Sequence, residues 1–159
     1  MIKTDLLGMN AIDAAKYLLG KFICTKDGKK YCITDVEAYF DDGKTGPNGK
    51  DISYQHEKFR SSGKWCVYGG MLLISCGSAD THDNVLIRGV DCILGPWNVR
   101  KTLLNDTDVS GESVIDSKTL WIEDHNVKVK EGDLDLLPRV RVPNAEKLRF
   151  KAKALTYPF

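Results

Sequence analysis

Glu37 and Tyr39 are the residues of this chain whose types and spacing best suit chemistry. They end the stretch 33–39, whose β-branched side chains favour an extended backbone. Alternation along a strand sends every second side chain to one face, and the predicted face holds Ile33, Asp35, Glu37 and Tyr39. An acid beside an aromatic ring at a strand end, followed by a polar loop, suits the wall of a pocket. The alternative is a solvated glutamate at a rim, next to a surface tyrosine.

Arg88 lies in the middle of an almost fully apolar stretch, residues 85–90. An arginine is almost never buried without a partner. We therefore expect its side chain to reach solvent past an edge of the sheet, or to meet an acid or a phosphate.

Two further stretches carry candidate ligand contacts. Pro96 suits a helix start, because its missing N–H costs nothing there, and the predicted helix carries Arg100 and Lys101. Amides at a helix N-terminus with nearby cations can hold a phosphate, although an ordinary amphipathic helix explains the pattern too. Gly69 and Gly70 interrupt the apolar stretch 64–75, which is either a bent strand or a hairpin, and paired glycines there suit a close approach of backbone to ligand.

Charge is unevenly distributed along the chain although the net charge is only +1. Residues 105–135 hold nine acids and three lysines, whereas residues 139–153 hold six basic residues and one acid. A split of this size can give one face a field that attracts phosphates, and solvated surface charge is the alternative. If the basic segment binds DNA, it should lie with Arg88 on the same face as Glu37.

The other elements form the scaffold. Asn10 suits the N-cap and Gly20 the C-terminal stop of a helix between them. The predicted strands cover residues 21–25, 30–39, 119–123, 126–130 and 136–142, in addition to those named above. Because strands outnumber helices and hairpin turns join several of them, we expect one α+β domain over residues 1–159. Its sheet should be curved, mainly antiparallel and open-barrel-like, with a few flanking helices.

Composition argues against several classes of protein. No apolar stretch approaches the roughly 20 residues of a membrane span, and the N-terminus carries no apolar signal segment, so we expect a cytoplasmic protein without membrane contact. The five cysteines form no CxxC motif and mostly lie in apolar stretches, which indicates reduced, packed thiols. No His/Cys spacing suits a metal, and we expect neither a metal nor a cofactor.

An ordered set of short motifs resembles the alkyladenine (3-methyladenine) DNA glycosylase family. The set runs from about Ala14 to Phe150, and its order is more specific than any one piece. It comprises Leu18-Leu19-Gly20-Lys21, Val36-Glu37-Ala38-Tyr39, Phe59 before Gly63, Cys66-Val67-Tyr68, Val85-Leu86-Ile87-Arg88, Gly95-Pro96, Leu120-Trp121-Ile122-Glu123, Pro138-Arg139 and Arg149-Phe150.

The resemblance implies a role for each matching residue. In that family the glutamate of the Glu-Ala-Tyr motif activates water and its tyrosine stacks on a flipped base, which implies these roles for Glu37 and Tyr39. Tyr68 would supply a second stacking ring, and Arg88 would hold DNA. Further phosphate contacts are expected from Arg100, Lys101, Arg139 and Arg149. The partner would be double-stranded DNA containing alkylated bases, bound by a monomer in a bacterial nucleoid or a eukaryotic nucleus.

The chain departs from the family pattern in several places: the family's Thr-x-Arg-Asn is absent, the segment between Arg88 and Gly95-Pro96 is shorter, and two further departures affect the site. Where the family has a histidine that contacts the base, this chain has none, and His56 is the nearest candidate for that role. Gly69 and Gly70 stand where the family has a tyrosine that wedges into the duplex. Met71 or Leu72 would then have to supply an apolar wedge.

Together these features predict a monofunctional glycosylase that hydrolyses the N-glycosidic bond of alkylated purines after flipping the nucleotide. Glu37 would activate the water, and because the Glu-Ala-Tyr strand segment holds no lysine for a Schiff base, we expect no strand cleavage. Neutral lesions need more leaving-group protonation, which the missing histidine makes harder. The alternative is a catalytically weak or inactive relative that recognises damaged DNA, which the missing wedge favours and the retained Glu37 disfavours.

Overall fold

The described part of the chain folds around one curled sheet. The structure is a computed structural model that describes Leu6 and residues 8–40, 62–77, 83–140 and 147–157. Its elements, in chain order, are α1 Ala11–Leu18, β1 Phe22–Thr25, β2 Lys30–Tyr39, β3 Trp65–Tyr68, β4 Met71–Ser75, β5 Asn84–Val90, β6 Ile93–Leu94, α2 Pro96–Leu104, β7 Leu120–Glu123, a 3-10 turn Glu131–Asp133, β8 Leu134–Leu137 and β9 Arg149–Ala152. Neither described α-helix has the length and apolar character that crossing a membrane requires.

All strand pairings in the described sheet are antiparallel. The main order is β3-β4-β5-β2-β1-β7, with β6 on β5, and with β9 between β2 and β8. β2 is the longest strand, and it pairs first with β1 and then with β5 and β9. The sheet curls into a half-barrel with two helices, so the expected small α+β domain with a curved, mainly antiparallel sheet is confirmed.

Helix α1 begins and ends close to the predicted positions. The Asn10 side chain accepts a hydrogen bond from the Asp13 amide at 2.9 Å and caps the first turn. Asp83 accepts a hydrogen bond from the Ala11 amide at 2.9 Å. Because Asp83 directly precedes β5, this bond links the start of the helix to the start of that strand. Gly20 follows the helix with a φ of +86°, a conformation that favours glycine. A Cβ at this position would also lie 3.0 Å from the Val127 carbonyl oxygen.

The main core lies on one face of the sheet, which we call the inner face. Both helices pack there, and Trp65 is fully buried with its indole N–H donating to the Leu120 carbonyl at 2.8 Å. On the opposite, outer face a smaller cluster of buried residues contacts Tyr39 and Met71. Its members are Cys66, Leu73 and Leu86. Leu72 and Ile74 alternate with Leu73 and belong to the main core.

A β-bulge in β2 makes the observed side-chain alternation differ from the predicted one. The register of β2 against β5 shifts on both sides of Asp35. Ile33 therefore packs in the main core with Val36 and Ala38, and does not share the face of Glu37 as predicted. A bulge inserts one residue and shifts the phase of the side chains that precede it.

Near the C-terminal part, one predicted strand is absent and a second has other bounds than predicted. Residues 126–130 form no strand, and Lys128 makes only an isolated bridge to Thr156. The strand predicted over residues 136–142 is β8, Leu134–Leu137, and it ends before Pro138. Proline has no N–H to continue a ladder, so the chain leaves the sheet there. The stretch 64–75 is the hairpin β3–β4, whose two-residue turn has Gly69 and Gly70 at positive φ.

The cysteines are free thiols, and four of the five are buried. Cys24, Cys32, Cys66 and Cys76 are buried, and Cys92 is exposed. Burial, as the first cause, raises the pKa of Cys24 to about 12 and that of Cys32 to about 11. Buried thiols of this kind are unreactive packing residues.

Candidate functional site

Glu37 lies on the outer face, near the end of β2, with strands on both sides. Leu86 of β5 is its partner on one side and Arg149 of β9 on the other. The residue is 0% exposed. A carboxylate at this depth must be matched by donors from the protein, because an unpaired buried charge is very costly.

Three groups of different chemistry meet the Glu37 carboxylate. The Tyr39 hydroxyl donates to Oε1 at 2.8 Å, and the Val140 backbone amide donates to Oε2 at 2.7 Å. One terminal nitrogen of Arg88 lies 3.5 Å from Oε1. Two short bonds therefore come from neutral donors, and the Arg88 contact stands at the outer limit of a hydrogen bond.

Tyr39 is held as a neutral donor beside the acid. Burial, and then the nearby Glu37 carboxylate, raise the pKa of the Tyr39 phenol far above its usual range. The Arg139 guanidinium lies 5.2 Å from the centre of the Tyr39 ring, a cation–π distance. Arg139 also donates to the Ala38 carbonyl at 3.2 Å and is only 2% exposed. Ring and cation together form one wall of the Glu37 site.

Arg88 brings donor capacity that no described residue uses. It projects from β5, and its side chain is 15% exposed. Its Nε is buried and makes no hydrogen bond to any group in the described part of the chain. Arg88 thus makes one weak contact to Glu37 and has an N–H without a partner among the described groups. It could donate this N–H to a negatively polarised ligand, or to a water molecule between its guanidinium and the Glu37 carboxylate.

Asp35, two residues earlier on β2, has a different environment. Arg149 donates to both of its carboxylate oxygens, at 3.0 and 2.7 Å. Asp35 is 3% exposed. A Cβ added to Gly89 would lie only 3.0 Å from the Cβ of Asp35, so glycine allows the close approach of the two strands. The bulge, Gly89 and the paired arginine thus seat Asp35 as a structural ion pair next to the site.

Strand alternation extends the outer face toward the β3–β4 turn. Tyr68 and Met71 each stand two residues beyond a member of the smaller cluster, and so does Arg88. Tyr68 is 43% exposed, and Met71 is half-buried against that cluster. Leu72 is fully buried in the main core, which removes it as an exposed wedge.

The basic segment is near Glu37, and three of its described cations have partners in the protein. Arg139 covers Tyr39, Arg149 is paired with Asp35, and Lys153 lies 3.2 Å from Asp135. Strand β9 of this segment pairs with β2 beside Glu37, and Lys147 and Lys153 are exposed to solvent. Arg100 and Lys101 lie on α2, next to the β3–β4 turn. His56 lies outside the described residues.

Two contributions to this region carried no usable signal in the sequence. The Val140 amide reaches Glu37 across 103 positions, and a backbone donor can come from any residue type. Trp97 donates its indole N–H to the Gly69 carbonyl at 2.9 Å and is 52% exposed. Its place directly after Pro96 gives the position in the helix, but not the contact with the hairpin.

Comparison with known proteins adds no assignment to this geometry. No protein-family model matches the chain, and no curated protein matches it significantly. The candidate site consequently rests on its own contacts: a buried acid with two neutral donors, a weakly engaged arginine, and a tyrosine under a second arginine.

Proposed function

We propose that this protein is a monofunctional DNA glycosylase that hydrolyses the N-glycosidic bond of alkylated purines such as 3-methyladenine. The observation that carries the proposal is the Glu37 carboxylate, buried on the outer face between Tyr39, Arg88 and the Val140 amide. The ordered motifs that resemble alkyladenine glycosylases support it. The substrate would be double-stranded DNA, bound by a monomer wherever the cell keeps its DNA, with no cofactor.

The chemistry asked of the site is modest. An alkylated purine is cationic and leaves readily, so the protein must supply a base for water and a negative charge beside the developing oxocarbenium ion. Glu37 would do both, and Arg88 would orient the water through its unused N–H. No described lysine contacts Glu37, which favours hydrolysis over Schiff-base chemistry and strand cleavage.

Base recognition would use the aromatic side chains of the same face. Flipping costs a few kcal/mol of stacking and pairing, least at a damaged pair. The stacking surfaces on the outer face would be the exposed Tyr68 ring and the part of the half-buried Tyr39 ring that Arg139 leaves uncovered. Electron-rich rings attract a cationic base, which gives selectivity for alkylated over normal purines.

Access to Glu37 requires a local movement, because the residue is fully buried. The covering group on the Oε2 side is the turn that carries Val140, which follows the end of β8 at Leu137. Val140 is exposed and held to Glu37 by one backbone hydrogen bond. Displacing that turn would open the carboxylate to water without breaking a strand pairing.

The test is base release from methylated duplex DNA by the wild-type protein and by Glu37→Gln. We expect release of 3-methyladenine by wild type and a loss of about 100-fold or more in the variant, the range typical of a general base. The control is Glu131→Gln, an exposed acid in the 3-10 turn. Equal rates for Glu37→Gln and wild type would show that Glu37 does not activate water.

The full burial of Glu37 favours one other candidate, a damage-binding relative without catalysis. In that case the acid is a structural acceptor for Tyr39, Arg88 and Val140. The two candidates separate under single-turnover conditions with protein in excess over methylated DNA. Tight binding to a distorted duplex with no base release would establish the silent relative.

A further inference from the structure

Three large apolar side chains are exposed where the β3–β4 turn meets the start of α2. Tyr68 is 43% exposed, Leu94 59% and Trp97 52%. We call this group, together with Gly69 and Gly70, the Trp97 corner. Exposed aromatic residues grouped at one place mark an interaction site more often than isolated ones do.

The Trp97 ring is fixed in its exposed position. Its indole N–H donates to the Gly69 carbonyl at 2.9 Å. Its Cδ1 lies 3.0 Å from the point where a Cβ on Gly70 would stand, and Gly70 has a φ of +77°. A larger residue at position 70 would be strained and would crowd the indole. A ring already held in place loses little conformational freedom when a ligand binds.

The helix beneath Trp97 presents cations on the same side. Arg100 and Lys101 follow Trp97 by three and four positions, which places them on one helix face with it. Helix α2, Pro96–Leu104, contains no acid. Lys101 is exposed, and Arg100 is half-buried, with a buried Nε that makes no hydrogen bond to any described group. A ring with two neighbouring cations fits a base stack and its phosphates.

The corner is continuous with the candidate active site. Tyr68 and Met71 belong to the outer face that carries Glu37, and the Gly69–Gly70 turn connects them to Trp97. A nucleotide drawn toward Glu37 would therefore leave its neighbours in the duplex beside this corner.

We infer that Trp97 inserts into duplex DNA at the position from which a nucleotide has been withdrawn, while Arg100 and Lys101 hold the flanking phosphates. The inference rests on the proposed function and assigns Trp97 as a positioning residue for it. An apolar side chain that fills the vacated space offsets part of the unstacking cost. A second copy of the chain fits this surface poorly, because a two-fold interface would bring the cations of both copies together.

The test is binding to a duplex that contains a stable abasic-site analogue, compared with the same duplex fully paired. Trp97 is the most exposed of the three tryptophans, since Trp65 is buried and Trp121 half-buried. We expect the abasic duplex to quench the intrinsic fluorescence, and Trp97→Phe to remove the quenching while it retains affinity. Trp97→Ala should weaken binding to the abasic duplex by about tenfold or more, the usual value of one base–aromatic stack. Trp121→Phe should leave both signals in place.

Two matched glycine substitutions test the close packing of Gly70 against the indole without changing the tryptophan. Gly70→Ala should push the indole away and weaken abasic-duplex binding. Gly28→Ala has a similar strain, since Gly28 has a φ of +87°, but no atom lies within 4 Å of the added Cβ. It should leave binding unchanged. Arg100→Ala and Lys101→Ala should each lower the slope of log affinity against log salt by about one.

Failure of this inference is distinguishable from failure of the proposed function. The abasic analogue has no base to excise, so the binding experiment does not depend on Glu37 and should give the same result in Glu37→Gln. Intact base release with wild-type affinity in Trp97→Ala would overturn the inference alone. A dimer in sedimentation that Trp97→Ala makes monomeric would overturn it too, because the corner would then bind a second copy.

Discussion

Two buried carboxylates stand two residues apart on β2, and their surroundings differ. Asp35, 3% exposed, receives two bonds from one arginine, Arg149. Glu37, 0% exposed, receives its two short bonds from a phenol and a backbone amide, with Arg88 at 3.5 Å. The first acid is paired with a fork-shaped cation, and the second receives its short hydrogen bonds from neutral groups, with the Arg88 guanidinium farther away.

The difference separates a structural acid from a chemical one. A bidentate arginine saturates a carboxylate and fixes its geometry, so little remains for a substrate. Neutral donors satisfy hydrogen bonds without cancelling charge, and a weakly engaged arginine can turn to another acceptor. Equal depth and equal residue class thus do not imply equal roles. Three experiments on this pair can break or sharpen the distinction, and a fourth examines Glu123, an acid outside the site.

The largest expected effect is on turnover. Glu37→Gln should lower base release from methylated duplex DNA by about 100-fold to 10,000-fold. Asp35→Asn should stay within several-fold of wild type per folded molecule, because Asp35 belongs to the ion pair and not to the chemistry. Rates are compared after the folded fraction of each variant is measured by near-ultraviolet circular dichroism. A larger loss in Asp35→Asn than in Glu37→Gln would reverse the assignment.

The next effect is on stability, where the partner of Asp35 should matter more than the partner of Glu37. Arg149→Met leaves Asp35 buried without its cation, and breaking such a pair costs about 3 kcal/mol. Arg88→Met leaves Glu37 its two short bonds, so we expect a loss of about 1 kcal/mol. Urea unfolding of both variants gives the two free energies. Equal losses would mean that Arg88 pairs with Glu37 more strongly in solution than its 3.5 Å contact indicates.

A smaller effect is expected from Tyr39→Phe, which keeps the ring and removes the donor to Glu37. Loss of one of three donors should destabilise the fold by about 1 kcal/mol. Because the Tyr39 pKa is raised far above its usual range, the wild-type minus variant difference should be constant between pH 6 and 9. Tyr31→Phe, on a ring packed against the main core, is the control. A difference that disappears as pH rises would show an ionising phenol.

The smallest effect concerns Glu123, an acid at the far end of the sheet. Hydrogen bonds from Trp121 first, and then from Lys30 and His125, lower its pKa from 4.5 to about 2. A lowered folded-state pKa adds stability that is complete above pH 4.5 and is lost as pH falls toward 2. Solvent screening keeps this contribution small. Acid unfolding of Glu123→Gln should be less steep in that window than that of Glu131→Gln, and identical curves would contradict the assignment.

Local sequence patterns were sufficient to predict the bounds of several secondary-structure elements of the scaffold. Asn10 and Gly20 delimit α1, and the hairpin turn before Lys30 together with the apolar alternation gives β2 its observed bounds. These signals act within a few residues, where capping and side-chain period dominate. The bulge at Asp35 carried no such signal, because its cause is tertiary: Gly89 approaches closely and Arg149 pairs from another strand.

The candidate site was predictable in its residues more than in its contacts. Three separate motifs brought Glu37 with Tyr39, Arg88 and Arg139 into consideration, and the structure places the four residues together. Arg139 is not the surface cation that was expected, because it is buried against the face of the Tyr39 ring. Side-chain partners depend on which strands become neighbours, and residue type alone does not specify that.

The bond from the Val140 amide to Glu37 has a consequence for how the chain acquires its site during synthesis. It spans 103 positions, and the Arg149 bonds to Asp35 span 114. Contacts of such sequence separation form slowly, after loop closure has been overcome. A growing chain that ends before Pro138 would hold both acids of β2 without these partners. The candidate site would therefore be assembled at a late stage of folding, and a chain competent for chemistry would be one whose sheet is already closed by β9.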